Sequence, residues 1–306
     1  MANIVFMGTP EFAVPSLISI NEKYGVKAVV TVPDKPKGRG LKLSYSPVKE
    51  KAIELGIPVL QPEKLKDESF IENLKQFEPD IIVVIAFRIL PKAVYLLPKI
   101  ASFNIHGSLL PKFRGAAPIN HAIIRGEKKS GLTSFILGEK VDTGNMLLQY
   151  ECEITENMTA GELHDKLMPE AANLSLRTIE ILLGGNYQPI IQDESLASPA
   201  PKIFRDNCKI NWNNPQEQVH NLIRGLSPHP GSWTLLEGKQ YKILRTIKVN
   251  KNIEQGKYII KENKMLVGCS DMALEILEIQ PENKKPMPIK EFINGWRGPI
   301  EGRFDM

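Results

Sequence analysis

The side chains of this sequence that could do chemistry are concentrated between Phe103 and Asn120, in the stretch F-N-I-H-G-S-L-L-P-K-F-R-G-A-A-P-I-N. Asn104 and His106 are two residues apart at the end of a predicted strand, so an extended backbone would point both to one face. An amide and an imidazole together can donate hydrogen bonds to a developing oxyanion. Asn-x-His by itself is more often part of a polar loop than of a catalytic site. Whether it is a catalytic site here therefore depends on evidence from other regions of the sequence.

A carboxylate at Asp142, in V-D-T-G, could orient the imidazole and set its charge state. The motif follows a predicted strand over residues 132–137, although D-T-G is also a common turn sequence. No serine or cysteine stands beside the amide and the imidazole as an obvious nucleophile. The set therefore suits direct transfer of an acyl group to an incoming amine better than formation of an acyl-enzyme.

The elements that must position these residues alternate between strand and helix through the first half of the chain. The run D-I-I-V-V-I-A at 80–86 is nearly all apolar, as in a parallel strand buried on both faces. This alternation predicts an α/β fold with a doubly wound, mostly parallel sheet, whose ligands bind at the carboxyl ends of the strands. G-x-G-x-x-G is absent after the first strand, and G-R-G at 38–40 lacks the spacing of a dinucleotide site.

The composition and the hydrophobic pattern of the sequence change after residue 188. Prolines and small polar residues cluster first, and short β-type runs separated by turns follow, which predicts a small β-barrel. We predict a catalytic domain over residues 1–188, a linker over 189–206 and a C-terminal barrel domain over 207–306.

Length, charge and composition argue against a membrane-spanning, secreted or metal-binding protein. At 306 residues with a net charge of +4, the chain is long enough for two domains, and its charge alone does not indicate nucleic-acid binding. Every apolar run is shorter than the ~20 residues that span a bilayer, and the first residues predict a strand rather than a signal peptide. The three cysteines are far apart, and no histidine pair has metal-ligand spacing. We expect a protein of the reducing cytoplasm with no metal and no membrane contact.

Two regions are basic enough to contact an anionic partner, although a solvated surface would also explain each of them. The first is the loop over residues 33–47, which is rich in glycine and proline, and the second lies along the predicted barrel strands. The candidate residues are Lys35, Lys37, Arg39 and Lys42 in the loop, and Lys239, Lys242 and Lys248 in the barrel.

Several motifs together make the pattern specific. Beside the Phe103–Asn120 stretch they are M-G-T-P-E-F-A-V-P at 7–15, P-D-K-P-K-G-R-G-L-K-L at 33–43, V-D-T-G at 141–144 and L-S-P-H-P-G-S-W at 226–233. In this order they resemble the methionyl-tRNA formyltransferases over nearly the whole chain. The N-x-H-x-S-L-L-P and D-T-G core is shared by folate-dependent formyltransferases generally, whereas the other motifs point to the tRNA enzymes.

The resemblance implies that the chain transfers the formyl group of 10-formyltetrahydrofolate to the α-amino group of methionyl initiator tRNA. The amine would attack directly and form a tetrahedral intermediate. Asn104 and His106 would stabilise its oxyanion, while Asp142 would set the charge of His106 and help to remove the ammonium proton. A Rossmann-like formyltransferase domain, an OB-like barrel and a monomeric chain are expected.

Binding residues also follow from the resemblance. Arg39 matches the arginine of a loop that enters the acceptor stem, and Lys202 matches a tRNA-contacting lysine of the linker. The implied folate-binding residues are Phe87, Arg88, Ile89, Leu90, Ser108, Leu109, Leu110 and Pro111.

Two alternatives stay open on the sequence. A formyltransferase that acts on glycinamide ribonucleotide or on an amino sugar nucleotide would share the three catalytic candidates and the folate pocket, but it has less reason to carry a basic β-domain. An RNA-binding protein with a degenerate α/β domain would have no need for an amide, an imidazole and a carboxylate in this arrangement.

Overall fold

A computed structural model describes residues 2–37, 42–185 and 187–305, which form two compact units. Unit 1 comprises Met1–Gly115, Gly131–Cys152 and His164–Pro199, and unit 2 comprises Ala116–Ser130, Glu153–Leu163 and Ala200–Met306. The domain boundaries predicted at 188 and 206 stay a prediction. Among the described residues, we find no helix with the length and apolar character needed to cross a membrane.

A seven-stranded sheet organises unit 1, with the strand order β5-β2-β1-β6-β7-β8-β9. The pairs among the first five strands are parallel, and β8 then runs antiparallel to β7. Strands β1 and β6 are buried along their whole length, as their apolar sequences predict. The strands between residues 4 and 153 are β1 (Ile4–Gly8), β2 (Val26–Val30), β3 (Lys35–Lys37), β4 (Lys42–Ser44), β5 (Val59–Leu60), β6 (Ile81–Ile85), β7 (Ala101–His106), β8 (Lys129–Ile136) and β9 (Met146–Glu153).

Helices alternate with these strands. The Ser46 hydroxyl accepts the backbone N–H of Lys49 at 3.1 Å, and Pro47 follows at the first helical position, so this helix begins where its capping sequence predicts. The helix over Ala160–Gly184 continues through Pro169 without a break. The helices are α1 (Val14–Tyr24), α2 (Pro47–Glu54), α3 (Glu68–Lys75), α4 (Lys92–Tyr95), α5 (Pro118–Ile124) and α6 (Ala160–Gly184), with a 3-10 turn at Glu11–Ala13.

Unit 2 is built on a curled antiparallel sheet with the order β10-β11-β14-β13-β12-β16, to which β15 adds by pairing with β14. A bridge between Leu235 and Asp305 joins the first strand of this order to the residues after the last. Trp212, Tyr258 and Phe304 fill the core and are each about 1% exposed. The elements are α7 (Gln216–Gly225), β10 (Ser232–Leu236), β11 (Lys239–Val249), β12 (Lys257–Lys261), β13 (Lys264–Gly268), β14 (Ala273–Pro281), β15 (Met287–Pro288), α8 (Ile289–Gly295) and β16 (Glu301–Arg303), with 3-10 turns at Glu194–Leu196 in unit 1 and at Arg205–Cys208 in unit 2.

The predicted fold class is confirmed, namely a mostly parallel α/β sheet followed by a β-barrel-like domain. Some short elements were not predicted. β3 and β4 pair antiparallel within the basic loop, with Lys35 opposite Ser44. No sequence pattern marks β15 and β16, which have two and three residues. Strands this short carry too few residues to show a two-residue alternation.

Candidate active site

The carboxyl end of β7 carries the amide and the imidazole that the sequence singles out. Asn104 and His106 are two residues apart in this strand, so their side chains leave the sheet on the same face. His106 is 6% exposed, and Asn104 is half-buried. Within the part of the chain that the structure describes, the Asn104 carboxamide makes no hydrogen bond. Its donors and its acceptor are therefore available to a ligand.

The two ring nitrogens of His106 have different neighbours. Nε2 lies 2.8 Å from the carbonyl oxygen of Phe113, and because a carbonyl only accepts, Nε2 carries a proton. Nδ1 lies 3.7 Å from Oδ2 of Asp142. That separation is too long for a hydrogen bond but short enough for charge attraction once Nδ1 is protonated. Nδ1 is therefore the nitrogen that can exchange a proton with the site.

Asp142 lies in the loop after β8, with its backbone in the left-handed region at a φ of 55°. Its side chain is 13% exposed, and its Oδ2 accepts the backbone N–H of Gly115 at 2.8 Å. The carboxylate is thus held beside His106 by a backbone donor of another loop. The structure places these two predicted residues together, and their catalytic roles stay a prediction.

The segment Ser108–Pro111 follows β7 directly, and side chains of two neighbouring strands hold its backbone. Thr133, which stands opposite His106 in β8, donates its hydroxyl to the carbonyl of Ser108 at 2.7 Å and accepts the N–H of Leu110 at 3.0 Å. Gln149 of β9 donates to the carbonyl of Leu110 at 2.9 Å. Thr133 and Gln149 were not predicted, because ordinary strand residues carry no motif that marks a supporting role.

A cavity of about 640 Å³ lies beside the second predicted folate segment. Its lining includes Arg88, Ile89 and Leu90, but not Phe87 or the Ser108–Pro111 segment. The remaining lining residues are Leu65, Lys66, Pro91, Lys92, Tyr95 and Glu139.

Arg88 is anchored at this cavity by backbone groups. Its guanidinium donates to the carbonyls of Glu63 at 3.0 Å and Pro62 at 2.8 Å, and its central carbon lies 5.1 Å from the centre of the Phe87 ring. Burial lowers the pKa of this guanidinium. Its Nε atom is buried and has no hydrogen-bond partner among the described residues, so one donor of this side chain is left unsatisfied.

The basic loop of unit 1 is only partly described. Lys35 is exposed at the start of β3, and Lys37 and Lys42 lie on the paired strands β3 and β4. Arg39 lies outside the described residues. Any contact of these four residues with RNA stays a prediction.

Three of the predicted RNA-contacting lysines of unit 2 lie where a partner could reach their ammonium groups. Lys202 and Lys239 are exposed, and Lys202 Nζ lies 5.6 Å from the centre of the Phe204 ring, which is 62% exposed. Lys242 is half-buried and donates to the carbonyl of Pro230 at 2.8 Å.

Lys248 differs from these lysines because two carboxylates already pair with its ammonium. Nζ lies 2.8 Å from Glu156 and 2.5 Å from Glu217. The hydrogen bonds to both carboxylates raise the pKa of Lys248. A phosphate would have to compete with two existing ion pairs for this ammonium.

Sequence reasoning missed a group of residues that surrounds the Asp142 loop. Gln192 lies in the stretch predicted to be a linker, yet it is 5% exposed and bonds both to the Asp142 loop and to Arg114. Glu194 pairs with Arg114 through both carboxylate oxygens, at 2.8 and 2.9 Å. A proline-rich segment gives no pattern from which such contacts could be read. The polar run Q-D-E within it is the one available signal.

Among the described residues, no group of three or more His, Cys, Asp or Glu side chains is arranged to hold a metal ion. Cys152, Cys208 and Cys269 are buried and unpaired, and burial raises the pKa of each thiol, that of Cys269 to about 12. They have the properties of packed core residues rather than of nucleophiles.

The comparison with known families identifies the class of protein that this fold and site belong to. Residues 2–179 match the family described as formyl transferase, and residues 202–297 match the C-terminal domain of formyl transferases. The chain therefore belongs to the formyl transferase family.

Its curated relatives carry a narrower name. The methionyl-tRNA formyltransferase of Clostridium novyi (strain NT) is 48% identical over 297 residues, which cover 95% of this chain and 96% of the relative. That of Bacteroides thetaiotaomicron is 41% identical over 312 residues, with 96% and 95% coverage. The family resemblance predicted from the motifs is confirmed.

Solved structures with lower identity share the fold. A sugar 3N-formyltransferase, WlaRD, in the presence of dTDP and 5-N-formyl-THF, aligns with a TM-score of 0.69 at 23% identity, covering 93% of this chain and 99% of that one. HypX from Aquifex aeolicus, in complex with tetrahydrofolic acid, aligns with a TM-score of 0.62 at 16% identity, covering 95% of this chain and 47% of that one.

Proposed function

We propose that this chain is an enzyme that transfers the formyl group of 10-formyltetrahydrofolate to the α-amino group of methionyl initiator tRNA. One observation carries the chemistry: a buried imidazole at the end of β7 faces a carboxylate with Nδ1, beside an amide that has no partner among the described residues. The methionyl-tRNA formyltransferases that match almost the whole chain support the choice of acceptor.

The proposed mechanism assigns a role to each of these groups. The formyl donor supplies the electrophilic carbonyl carbon that the amine attacks. The Asn104 carboxamide donates to the carbonyl oxygen where negative charge develops, and His106 does so through a protonated Nδ1. Asp142 stabilises the charge on this ring and accepts the proton that the attacking amine must lose. The tetrahedral intermediate then collapses when the bond between the formyl carbon and N10 of the folate breaks, and N10 takes up a proton as tetrahydrofolate leaves. The Phe113 carbonyl holds Nε2 and so fixes the ring during these steps.

The proposed folate site uses the two segments predicted from the sequence. Arg88 offers a buried Nε donor at the edge of a cavity large enough for a drug-sized ligand. The backbone of the Ser108–Pro111 segment is held by Thr133 and Gln149, so this segment can present a fixed surface to the ligand. A pterin ring, which is planar and rich in hydrogen-bonding groups, suits this combination of fixed backbone and apolar surface.

The proposed RNA contact in unit 2 combines charge with aromatic surface. Lys202 lies over the exposed Phe204 ring, and the Arg205 guanidinium lies 5.7 Å from the centre of the Trp233 ring. Lys242 stands opposite Trp233 across the β10–β11 pair. Cations and aromatic faces on one surface suit an RNA backbone with unpaired bases. We also propose a cytoplasmic, monomeric enzyme, as the sequence predicts.

A formylation assay tests the proposal directly. The chain is incubated with methionyl-tRNA and 10-formyltetrahydrofolate, and formylmethionyl-tRNA is measured. Glycinamide ribonucleotide and an amino sugar nucleotide serve as parallel acceptors. Formylation of either small acceptor in place of methionyl-tRNA would overturn the proposed acceptor while leaving the formyl-transfer chemistry in place.

A further inference from the structure

We propose that Gln192 is a positioning residue for formyl transfer, because its carboxamide fixes the loop that presents Asp142 to His106. This inference rests on the proposed function. Gln192 does not touch the imidazole or the carboxylate in the described hydrogen bonds, so it would act only through the position of Asp142.

Both the nitrogen and the oxygen of the Gln192 carboxamide make hydrogen bonds. Its Nε2 donates to the backbone carbonyl of Asp142 at 2.9 Å and to that of Gly144 at 2.8 Å. Its Oε1 accepts from Nε of Arg114 at 3.0 Å and from Nη2 of Arg114 at 2.8 Å. Two donors and two acceptors are thus matched, which is the complete capacity of an amide in this geometry.

These bonds connect the two loops that meet at the catalytic candidates. One is the loop after β8, where Asp142 adopts a φ of 55°, in the left-handed region that aspartate and asparagine enter more readily than most non-glycine residues. The other is the loop after β7, whose Phe113 carbonyl holds His106 and whose Gly115 N–H holds Asp142. Gln192 bonds to the first loop directly and to the second through Arg114.

The segment that carries Gln192 is itself fixed to unit 1. The Ser198 hydroxyl accepts the N–H of Phe113 at 3.0 Å, and the Ser198 carbonyl accepts the N–H of Arg114 at 2.8 Å. Ile190 exchanges two backbone hydrogen bonds with Met146, each of 2.8 Å. Gln192 is therefore presented from a rigid edge, and its amide can define the geometry of the Asp142 loop rather than follow it.

The chemistry at the site makes this position consequential. The Asp142 carboxylate stands 3.7 Å from Nδ1 of His106 and depends on a single backbone donor, Gly115 N–H, for its orientation among the described hydrogen bonds. A displacement of about 1 Å in a reacting group can reduce a rate on the order of 100-fold. Loss of the two bonds from Gln192 should therefore reduce kcat while substrate binding is retained.

Gln192→Glu is the sharpest variant to test the inference. It keeps the size of the side chain and the acceptor for Arg114, but it replaces the two N–H donors with an oxygen that faces two carbonyls. We expect kcat to fall by about 10- to 100-fold, with KM for methionyl-tRNA and for the formyl donor changed by less than about threefold. Gln192→Met, which removes both sets of bonds, should behave similarly.

Glu194→Gln is the matched control. It removes a charge from the other partner of Arg114 but keeps the contact between Arg114 and Gln192, and its own side chain is 72% exposed. We expect kcat within about threefold of the unmodified enzyme. The midpoint of thermal unfolding, measured for every variant, identifies variants that are simply misfolded.

A double-mutant cycle separates positioning from a general structural role. In an Asp142→Asn background there is no carboxylate left to position, so adding Gln192→Glu should change the residual single-turnover rate by less than about twofold. A structural role would give the same loss in both backgrounds. A Gln192→Glu enzyme with unaltered kcat, or a loss that is fully additive with Asp142→Asn, would overturn the inference. Failure of the unmodified enzyme to formylate methionyl-tRNA would instead overturn the proposed function.

Discussion

Two buried histidines, one in each unit, are held in nearly the same way and differ in one neighbour. His106 in unit 1 is 6% exposed, and His220 in unit 2 is 1% exposed. In each, Nε2 donates to a backbone carbonyl, that of Phe113 at 2.8 Å and that of Glu156 at 3.2 Å. Nδ1 of His106 faces the Asp142 carboxylate at 3.7 Å, whereas Nδ1 of His220 accepts from the Thr246 hydroxyl at 2.9 Å.

We expect this difference to separate a reactive imidazole, that of His106, from a structural one, that of His220. A hydroxyl at hydrogen-bond distance satisfies Nδ1 of His220, the residue is 1% exposed, and burial lowers the pKa of that ring. The Asp142 carboxylate at 3.7 Å is beyond hydrogen-bond distance and leaves Nδ1 of His106 without a hydrogen-bond partner among the described residues. Burial and a backbone acceptor are common to both, so neither property identifies a site. The proposed role of His106 therefore depends on the identity of the second neighbour, the Asp142 carboxylate, and on its distance from Nδ1.

Replacement of His106 should have the largest effect. His106→Ala removes the ring that stabilises the oxyanion, so we expect the rate of formylation to fall by about 10²- to 10³-fold. The affinity for methionyl-tRNA, measured separately, should stay the same. Turnover like that of the unmodified enzyme would refute the role assigned to His106.

Asp142→Asn comes next, because it keeps the side-chain volume and an oxygen that can accept the N–H of Gly115. We expect kcat to fall by about 100-fold or more, since the charge beside Nδ1 is lost. The surface pair of His164 and Asp165 provides the control, with its atoms 2.9 Å apart and the Asp165 side chain 75% exposed. Asp165→Asn should leave formylation unchanged. Equal effects of the two substitutions would mean that the carboxylate at 142 has no special role.

The sequence predicted His106 and Asp142 as partners but not the contacts that hold them. Asn-x-His at a strand end, followed by D-T-G, is a local pattern that can be read residue by residue. The supporting groups, Thr133 and Gln192, act through side-chain hydrogen bonds that form only when distant segments meet. The strands and helices of the α/β sheet were predicted well because their burial imposes long apolar runs. Two-residue strands such as Met287–Pro288 impose no such pattern.

A comparison of Lys239 and Lys242 with Lys248 in unit 2 allows a further test, for which we expect an effect of moderate size. Joint replacement of Lys239 and Lys242 by glutamine should weaken tRNA binding and flatten the dependence of log K on log salt by about 0.7 to 0.9 for each phosphate that the protein no longer neutralises. Lys248→Gln should leave that slope unchanged, because Glu156 and Glu217 already occupy its ammonium. An unchanged slope in the double variant would exclude this surface from the RNA interface.

The smallest expected effect is that of His220 on the free energy of unfolding, and it tests the structural role that distinguishes His220 from His106. Burial, followed by the charges of Arg224 and Lys248, lowers the pKa of His220 below its ordinary value of 6.5, against the opposing effects of the Glu156 carbonyl and the Glu217 carboxylate. The unfolded chain therefore binds a proton before the folded chain does, and the free energy of unfolding falls as the pH drops below about 6.5. The slope approaches about 1.4 kcal/mol per pH unit where only the unfolded chain is protonated.

Tryptophan fluorescence can follow this change in unit 2 alone, since the three tryptophans of the chain are Trp212, Trp233 and Trp296. Urea unfolding is measured between pH 7.5 and pH 5, above the range in which Glu156 and Glu217, whose pKa values are lowered by Lys248, take up protons. His220→Asn should abolish the fall in stability while formylation at neutral pH is retained. A fall that persists in this variant would assign the pH dependence to another group, and a loss of formylation without a loss of stability would contradict the division between a reactive and a structural histidine.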